Sequence, residues 1–150
     1  MIVLDTNVIS ELMRVKPAEE VMRWIDAQPR NSLCTTTVTQ AEVLYGLESL
    51  PQGKRRDTLL EVARTVFDTD FSGRVFPFDG DAARAYAHIA ATRRRAGRPI
   101  PQLDGQIAAI AVAIGSELAT RNRSDFEGCG IELHDPWTGQ TFSDSPGPAG

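Results

Sequence analysis

At 150 residues the chain holds one domain's worth of sequence, and 41% apolar with 24% charged residues is ordinary for a globular protein. The net charge of −4 gives no global attraction to nucleic acid, so any such contact must come from local basic patches. No apolar run approaches the roughly 18 residues of a membrane span, the N-terminus lacks a secretory pattern, and the two cysteines, Cys34 and Cys129, fit a reducing cytoplasm.

In chain order, Met1–Leu4 is a short apolar strand, and Thr6 and Asn7 follow it as caps for a helix from about Val8. Pro17 breaks that pattern. Ala18–Gln28 resumes as an amphipathic helix, with Val21, Trp24 and Ile25 at helical spacing and Pro29 closing it. Ser32–Thr36 is rich in β-branched residues and reads as a second strand. Thr39 then caps a helix through Leu50. After the turn at Pro51–Gly53, Lys54–Phe67 is again amphipathic. Val75–Phe78 is a strand, and Pro77 assigns it to a sheet edge or a strand end. Asp79 caps a helix running to Ala96, where Gly97 ends it.

Leu103–Ile114 is apolar nearly all round, which predicts a buried central helix. Glu117–Thr120 and Ile131–Leu133 are the last expected strands. From Thr138 the composition turns to Gly, Ser, Pro and Thr. Residues 1–137 therefore read as one folded domain and 138–150 as a flexible tail. Strands alternating with helices predict an α/β fold with a parallel sheet and right-handed crossovers.

Four acids stand out within this frame: Asp5 after the first strand, Glu42 early in its helix, Asp104 at the opening of the buried helix, and Asp125 after the strand at 117–120. In a parallel sheet all strands end on one side, and sites form there. Each acid has a structural explanation on its own. Asp5 can be a strand-end turn residue, Asp104 a first-turn acid favoured by the helix dipole, and Glu42 half of a Thr39-x-x-Glu42 capping box. Together they outweigh those explanations, because carboxylates brought close raise one another's pKa and require a cation to stay ionised. An oxygen-only set without His or Cys indicates Mg²⁺ or Mn²⁺ rather than zinc. His88 and His134 have no partner at metal-ligand spacing in the sequence and read as structural or surface residues.

The basic residues form three clusters. Arg121 and Arg123 flank Asp125 and are placed for phosphate contact; Arg93–Arg95 with Arg98 divide evenly between phosphate contact and helix C-terminal charge; Lys54–Arg56 read as a solvated helix face. Two rival classes also place acids at strand ends. Receiver domains and phosphoaspartate phosphatases need a lysine late in the chain, and the only lysines are Lys16 and Lys54. A non-catalytic scaffold would be expected to lack one of the four acids, and all four are present.

The segments Ile2-Val3-Leu4-Asp5-Thr6-Asn7, Ala41-Glu42-Val43-Leu44-Tyr45-Gly46-Leu47, Leu103-Asp104-Gly105-Gln106-Ile107-Ala108 and Thr120-Arg121-Asn122-Arg123-Ser124-Asp125-Phe126 resemble the PIN-domain toxins of the VapC type, nearest to their FitB-like branch. The resemblance covers about Met1 to Trp137 and keeps the family's motif order. It implies a three-layer α/β/α domain with a central parallel sheet. It also implies a Mg²⁺- or Mn²⁺-dependent endoribonuclease, usually a homodimer, held inactive by a cognate antitoxin. Asp5, Glu42, Asp104 and Asp125 match the acidic quartet, with Asp5 and Asp104 the expected direct ligands. Thr6 and Asn122 match accessory polar positions. Ile100-Pro101-Gln102-Leu103 departs from many relatives, which touches loop shape rather than the ligands. Metal-activated water attack would leave a 5′-phosphate and a 3′-hydroxyl.

Overall fold

The computed structural model describes residues 1–143. Six strands form one sheet in the order β3-β2-β1-β4-β5-β6. They are β1 (Ile2–Leu4), β2 (Leu33–Thr36), β3 (Val75–Phe76), β4 (Glu117–Ala119), β5 (Leu133–His134) and β6 (Thr141–Phe142). The first five pair in parallel, and β6 runs antiparallel to β5. Val75–Phe76 lies at the sheet edge, where Pro77 can follow without removing a ladder hydrogen bond.

The helices are α1 (Thr6–Leu12), α2 (Glu19–Asp26), α3 (Thr37–Glu48), α4 (Lys54–Arg64), α5 (Gly80–Arg95), α6 (Gln102–Ala113) and the single turn α7 (Arg123–Phe126). Helix α4 runs on into a π-helical turn over Thr65–Asp70, where the Phe71 amide reaches back five residues to the Val66 carbonyl at 2.9 Å. Gly97 follows α5 at φ 73°, the left-handed position that a side chain resists.

Strand alternation splits the core into two layers. Val3 joins Ile107, Ile110, Leu118, Phe126 and Leu133 on one face, while Ile2 and Leu4 join Val8, Ile9, Val43, Phe67 and Ala119 on the other. Helix α6, buried from Ile107 to Ala111, packs closely on α5. The result is a three-layer α/β/α domain. No helix of the described residues is long and apolar enough to cross a membrane.

Several boundaries differ from the sequence reading, among them the last expected strand, Ile131–Leu133, which is Leu133–His134, and three of them bear on the site or the tail. The N-cap of α1 is Asp5, whose Oδ1 accepts from the Thr6 amide at 2.7 Å, so Thr6 and Asn7 lie inside the helix. The N-cap of α3 is Thr36, whose Oγ1 accepts from the Thr39 amide at 3.0 Å. Glu42 therefore lies beyond the first turn, too far in to close a capping box. Finally, β6 falls within the segment expected as a tail and is held there by pairing with β5. The rest of that segment, 144–150, lies outside the described residues.

Candidate active site

The sheet dictates where a site can form. From β1 the chain moves outward to β2 and β3, then returns across β1 to build β4, β5 and β6 on the other side. The carboxyl ends of β1 and β4 thus flank the point where strand order reverses, and ligands of open parallel sheets bind in that crevice. Asp5 follows β1 and Thr120 follows β4, with β1 and β4 in direct register from Ile2 to Leu4.

Asp5 is 3% exposed and held by three donors. The Thr6 amide donates to Oδ1, while the Thr120 hydroxyl at 2.8 Å and Asn7 Nδ2 at 3.2 Å donate to Oδ2. Asn7 is itself held, its Oδ1 accepting from the Arg121 amide at 3.3 Å. Despite those donors, burial raises the Asp5 carboxyl to about 6, with the Glu42 and Asp125 charges adding to the rise.

Asp104 sits in the first turn of α6, half-buried, and its side chain makes no hydrogen bond among the described residues. Its pKa is also raised to about 6, first by burial, then by the Asp5, Asp125 and Glu42 charges, with Arg93 opposing. Glu42 reaches the cluster from α3, where Thr6 Oγ1 donates to its Oε1 at 2.9 Å and lies 3.2 Å from Thr39 Oγ1. Asp125 comes from α7. The four acids therefore act on one another electrostatically, although they are up to 120 positions apart in the chain.

None of the four carboxylates is ion-paired with a side chain among the described residues. Every salt bridge there uses other acids. The donor set is oxygen-only, as a hard divalent cation requires. The quartet is nonetheless open. The group whose ligand atoms all lie within 4.8 Å of one another is a different one, Glu117, Glu132 and His134. An open set still suits Mg²⁺ and Mn²⁺, because Mg²⁺ keeps several waters and binds through one or two carboxylates directly.

The arginines divide sharply. Arg93 is 6% exposed, and its guanidinium is spent on backbone carbonyls: Nε on Arg98 at 2.7 Å, Nη1 on Asp125 at 3.0 Å and on Glu127 at 2.7 Å. The reading of Arg93 as a phosphate contact is corrected, since its side chain is buried and turned onto these backbone carbonyls. It instead ties α5 to the loop that carries Asp125. Arg98 and Arg123 are exposed and ion-paired with Glu127, at 3.1 Å each. Arg123 also covers the Phe142 ring at 3.8 Å, and Arg121 covers Trp137 at 4.8 Å.

Asn122 departs from its expected role as well. The resemblance gives it a carboxylate or a water to orient; its backbone amide donates to Thr120 Oγ1 at 3.0 Å, while its exposed side chain makes no hydrogen bond to a quartet carboxylate among the described residues. That role falls to Thr120 and Asn7, which the sequence reading missed. A threonine closing an apolar strand that neighbours the Asp5 strand was the available signal for Thr120. Asn7, two residues past Asp5, was read as a cap.

The comparisons agree with this geometry. The PIN domain family profile matches residues 2–128. The chain is 45% identical to the VapC ribonuclease Y4jK of Sinorhizobium fredii over 91% of this chain and 98% of that protein. It is 36% identical to the toxin FitB of Neisseria gonorrhoeae, over 91% and 99% respectively. Among solved structures, the complex of FitAB bound to an IR36 DNA fragment contains a chain that superposes with a TM-score of 0.84 at 36% identity, over 91% of this chain and 96% of that one. Six-stranded architecture, the acids at the carboxyl edge of β1 and similarity along nearly the whole length converge, and the chain belongs to the PIN domain family, alongside its VapC and FitB members.

Proposed function

We propose that this chain is a Mg²⁺- or Mn²⁺-dependent endoribonuclease, the toxin of a toxin–antitoxin pair, acting in the cytoplasm. The observation that carries the reading is the quartet. Asp5, Glu42, Asp104 and Asp125 share one sheet edge, two of them are pushed up to about 6, and none is ion-paired with a side chain among the described residues. One buried and three partly buried acids so arranged repel one another unless they bind something positive, and acids perturbed in this way cluster at functional sites.

Asp5 and Asp104 are the direct ligands in this reading, and Glu42 and Asp125 complete the set directly or through water. A bound cation supplies Lewis-acid charge for a phosphoryl oxygen and a water of lowered pKa. The chain supplies the rest. Thr120, Asn7 and the Thr6 amide fix the Asp5 carboxylate, and the Thr6 hydroxyl fixes Glu42. Arg93 holds the Asp125 backbone from behind. The exposed Arg121, Arg123 and Arg98 contact phosphates of a single-stranded or loop segment of RNA.

The antitoxin partner has a surface to occupy. A groove of about 830 Å³ opens beside Thr6 and Glu42, lined by Val43 and Leu47 of α3 and Leu59 of α4, with Arg14 and Lys54 at its margin. An arginine inserted from such a partner would match a carboxylate with bidentate geometry and take the cation's place. A second groove between α3 and α6, flanked by the exposed Tyr45 and Leu103, fits a second copy of the chain.

Mapping the 5′ ends of cellular RNA after induced expression tests the reading. New 5′-phosphate ends are expected with the wild type and none with Asp5→Asn. Identical ends in both, or cleavage by the purified chain that persists in EDTA, would overturn it. An inactive wild type that still binds RNA and antitoxin would favour the scaffold role instead.

A further inference from the structure

A second set of donors lies on the α2 face of the sheet, apart from the quartet. Leu118 pairs with Leu133 and Ala119 with His134, which sets Glu117 of β4 beside Glu132 and, two residues on, His134 of β5. His134 Nε2 is 3.3 Å from Glu117 Oε1 and 3.8 Å from Glu132 Oε1, and the three ligand atoms lie within 4.8 Å of one another. That nitrogen is sealed from solvent and has no hydrogen-bond partner among the described residues, in a side chain only 14% exposed. The ring is fixed from two further directions. Its Nδ1 lies 3.1 Å from Thr141 Oγ1 on β6, and Trp24 of α2 packs against it at 5.9 Å between centroids.

We propose that His134, Glu117 and Glu132 form a second cation site, for a borderline transition ion of the Zn²⁺ class. Imidazole nitrogen with carboxylate oxygen is a donor set that zinc accepts and Mg²⁺ does not favour. Bonds of about 2.0–2.2 Å at a tetrahedral centre place neighbouring ligand atoms about 3.4 Å apart. The separations from Nε2 bracket that value. With Nδ1–H donating to Thr141 Oγ1, the Nε2 lone pair lies beside two carboxylate oxygens and in hydrogen-bond alignment with neither, an arrangement that a cation between the three atoms turns from repulsive to bonding. A ligating histidine usually donates its other ring N–H to an outer-shell acceptor that fixes its tautomer, and Thr141 Oγ1 is placed to be that acceptor here. The ion would tie together β4, β5 and, through Thr141, the antiparallel strand β6. The sequence conceals the site because its donors converge only when β5 pairs with β4.

The competing arrangement is a protonated imidazole between two glutamates, with no metal. Titration of the chelator-treated full chain separates the two, using Zn²⁺ by calorimetry and Co²⁺ by visible absorption. The measurement is made on the wild type and on the chain carrying Asp5→Asn and Asp104→Asn, which removes the quartet's contribution. In the quartet-less chain one Zn²⁺ per chain is expected, with a Co²⁺ spectrum of four-coordinate type, and the wild type should take up that ion plus any held by the quartet. Both signals should vanish in His134→Gln and in Glu117→Gln with Glu132→Gln, the second pair altering only partly exposed side chains. Thr141→Val should weaken Zn²⁺ binding about tenfold. Absence of Zn²⁺ uptake, or uptake unchanged by the glutamate substitutions, would leave the trio as an ion pair and overturn the proposal.

Discussion

Asp5 carries both the site and its fold. Its carboxylate caps α1 and receives two further donors, so a substitution there tests two roles at once. The Asp104 carboxylate makes no hydrogen bond among the described residues and can be changed more cleanly. Both acids have folded pKa values near 6 against a usual value of 3.8. Between those values the folded chain holds more protons than the unfolded one. Metal-free stability contributed by this pair is therefore fully present below about pH 4 and is lost as pH rises through about 6. In EDTA, Asp104→Asn is expected to flatten the fall in melting temperature over that window. An unchanged slope would show that Asp104 is not held above its usual value in the folded chain. Thr120→Val tests the other side of the balance: it removes a donor to a buried acceptor, at a cost of about 1–3 kcal/mol, and leaves Asp5 harder to ionise.

The two kinds of arginine are separable at the same scale. Arg93→Ala orphans carbonyls of Arg98, Asp125 and Glu127 in a buried setting. It is expected to cost about 3 kcal/mol or more, by the penalty for buried polar groups left unpaired. Arg121→Ala should barely move the melting temperature but should flatten the salt dependence of RNA binding, since it removes a phosphate contact. Thermal melts and binding isotherms at two salt concentrations check both. A stable Arg93→Ala chain with weakened RNA binding would restore the sequence-based reading of that residue.

Among the elements, the contact between α5 and α6 sets how Asp104 is presented. Gly105 follows Asp104, and a Cβ placed there would come within 2.9 Å of Tyr86 Cε2 and 3.2 Å of Ile100 Cγ2. Gly105→Ala is therefore expected to destabilise by about 1–3 kcal/mol, the usual range for overpacking, and to shift Asp104 against its neighbours. Its activity loss should exceed that of an equally destabilising change remote from α6, such as Ala63→Gly. Equal losses would mean the packing serves stability alone. Element identity was legible because Pro, Gly and Asp punctuate the chain: Asp79 caps α5 with an oxygen on the Ala82 amide, and Gly97 ends it. The misplaced starts of α1 and α3 share one cause. In each, the last residue before the helix supplies the capping oxygen, and strand-forming residues there conceal the switch. Strand β6 was illegible because two residues carry no periodicity, and pairing with β5 decides their structure.

For the whole molecule, topology turns scattered acids into a single group. The reversal of strand order at β1 brings residues from α1, α3, α6 and α7 to one edge, which the sequence suggested through its alternation of strands and helices. It could not suggest Thr120 or the interior place of Arg93, because both depend on which strands become neighbours. If the quartet works as one metal-binding unit, its losses should be strongly non-additive. Asp5→Asn, Glu42→Gln, Asp104→Asn and Asp125→Asn should each nearly abolish RNA cleavage, and pairing any two should add little. The same unit should appear in stability, because a ligand that binds only the folded state raises its melting temperature by mass action. Millimolar Mn²⁺ is expected to stabilise the wild type and to lose most of that effect in Asp104→Asn. A Zn²⁺ ion at Glu117, Glu132 and His134 would not reproduce this pattern, since Asp104→Asn leaves that trio intact. Additive activity losses, with Mn²⁺ stabilising all four variants as much as the wild type, would mean that the acids share an edge without sharing an ion.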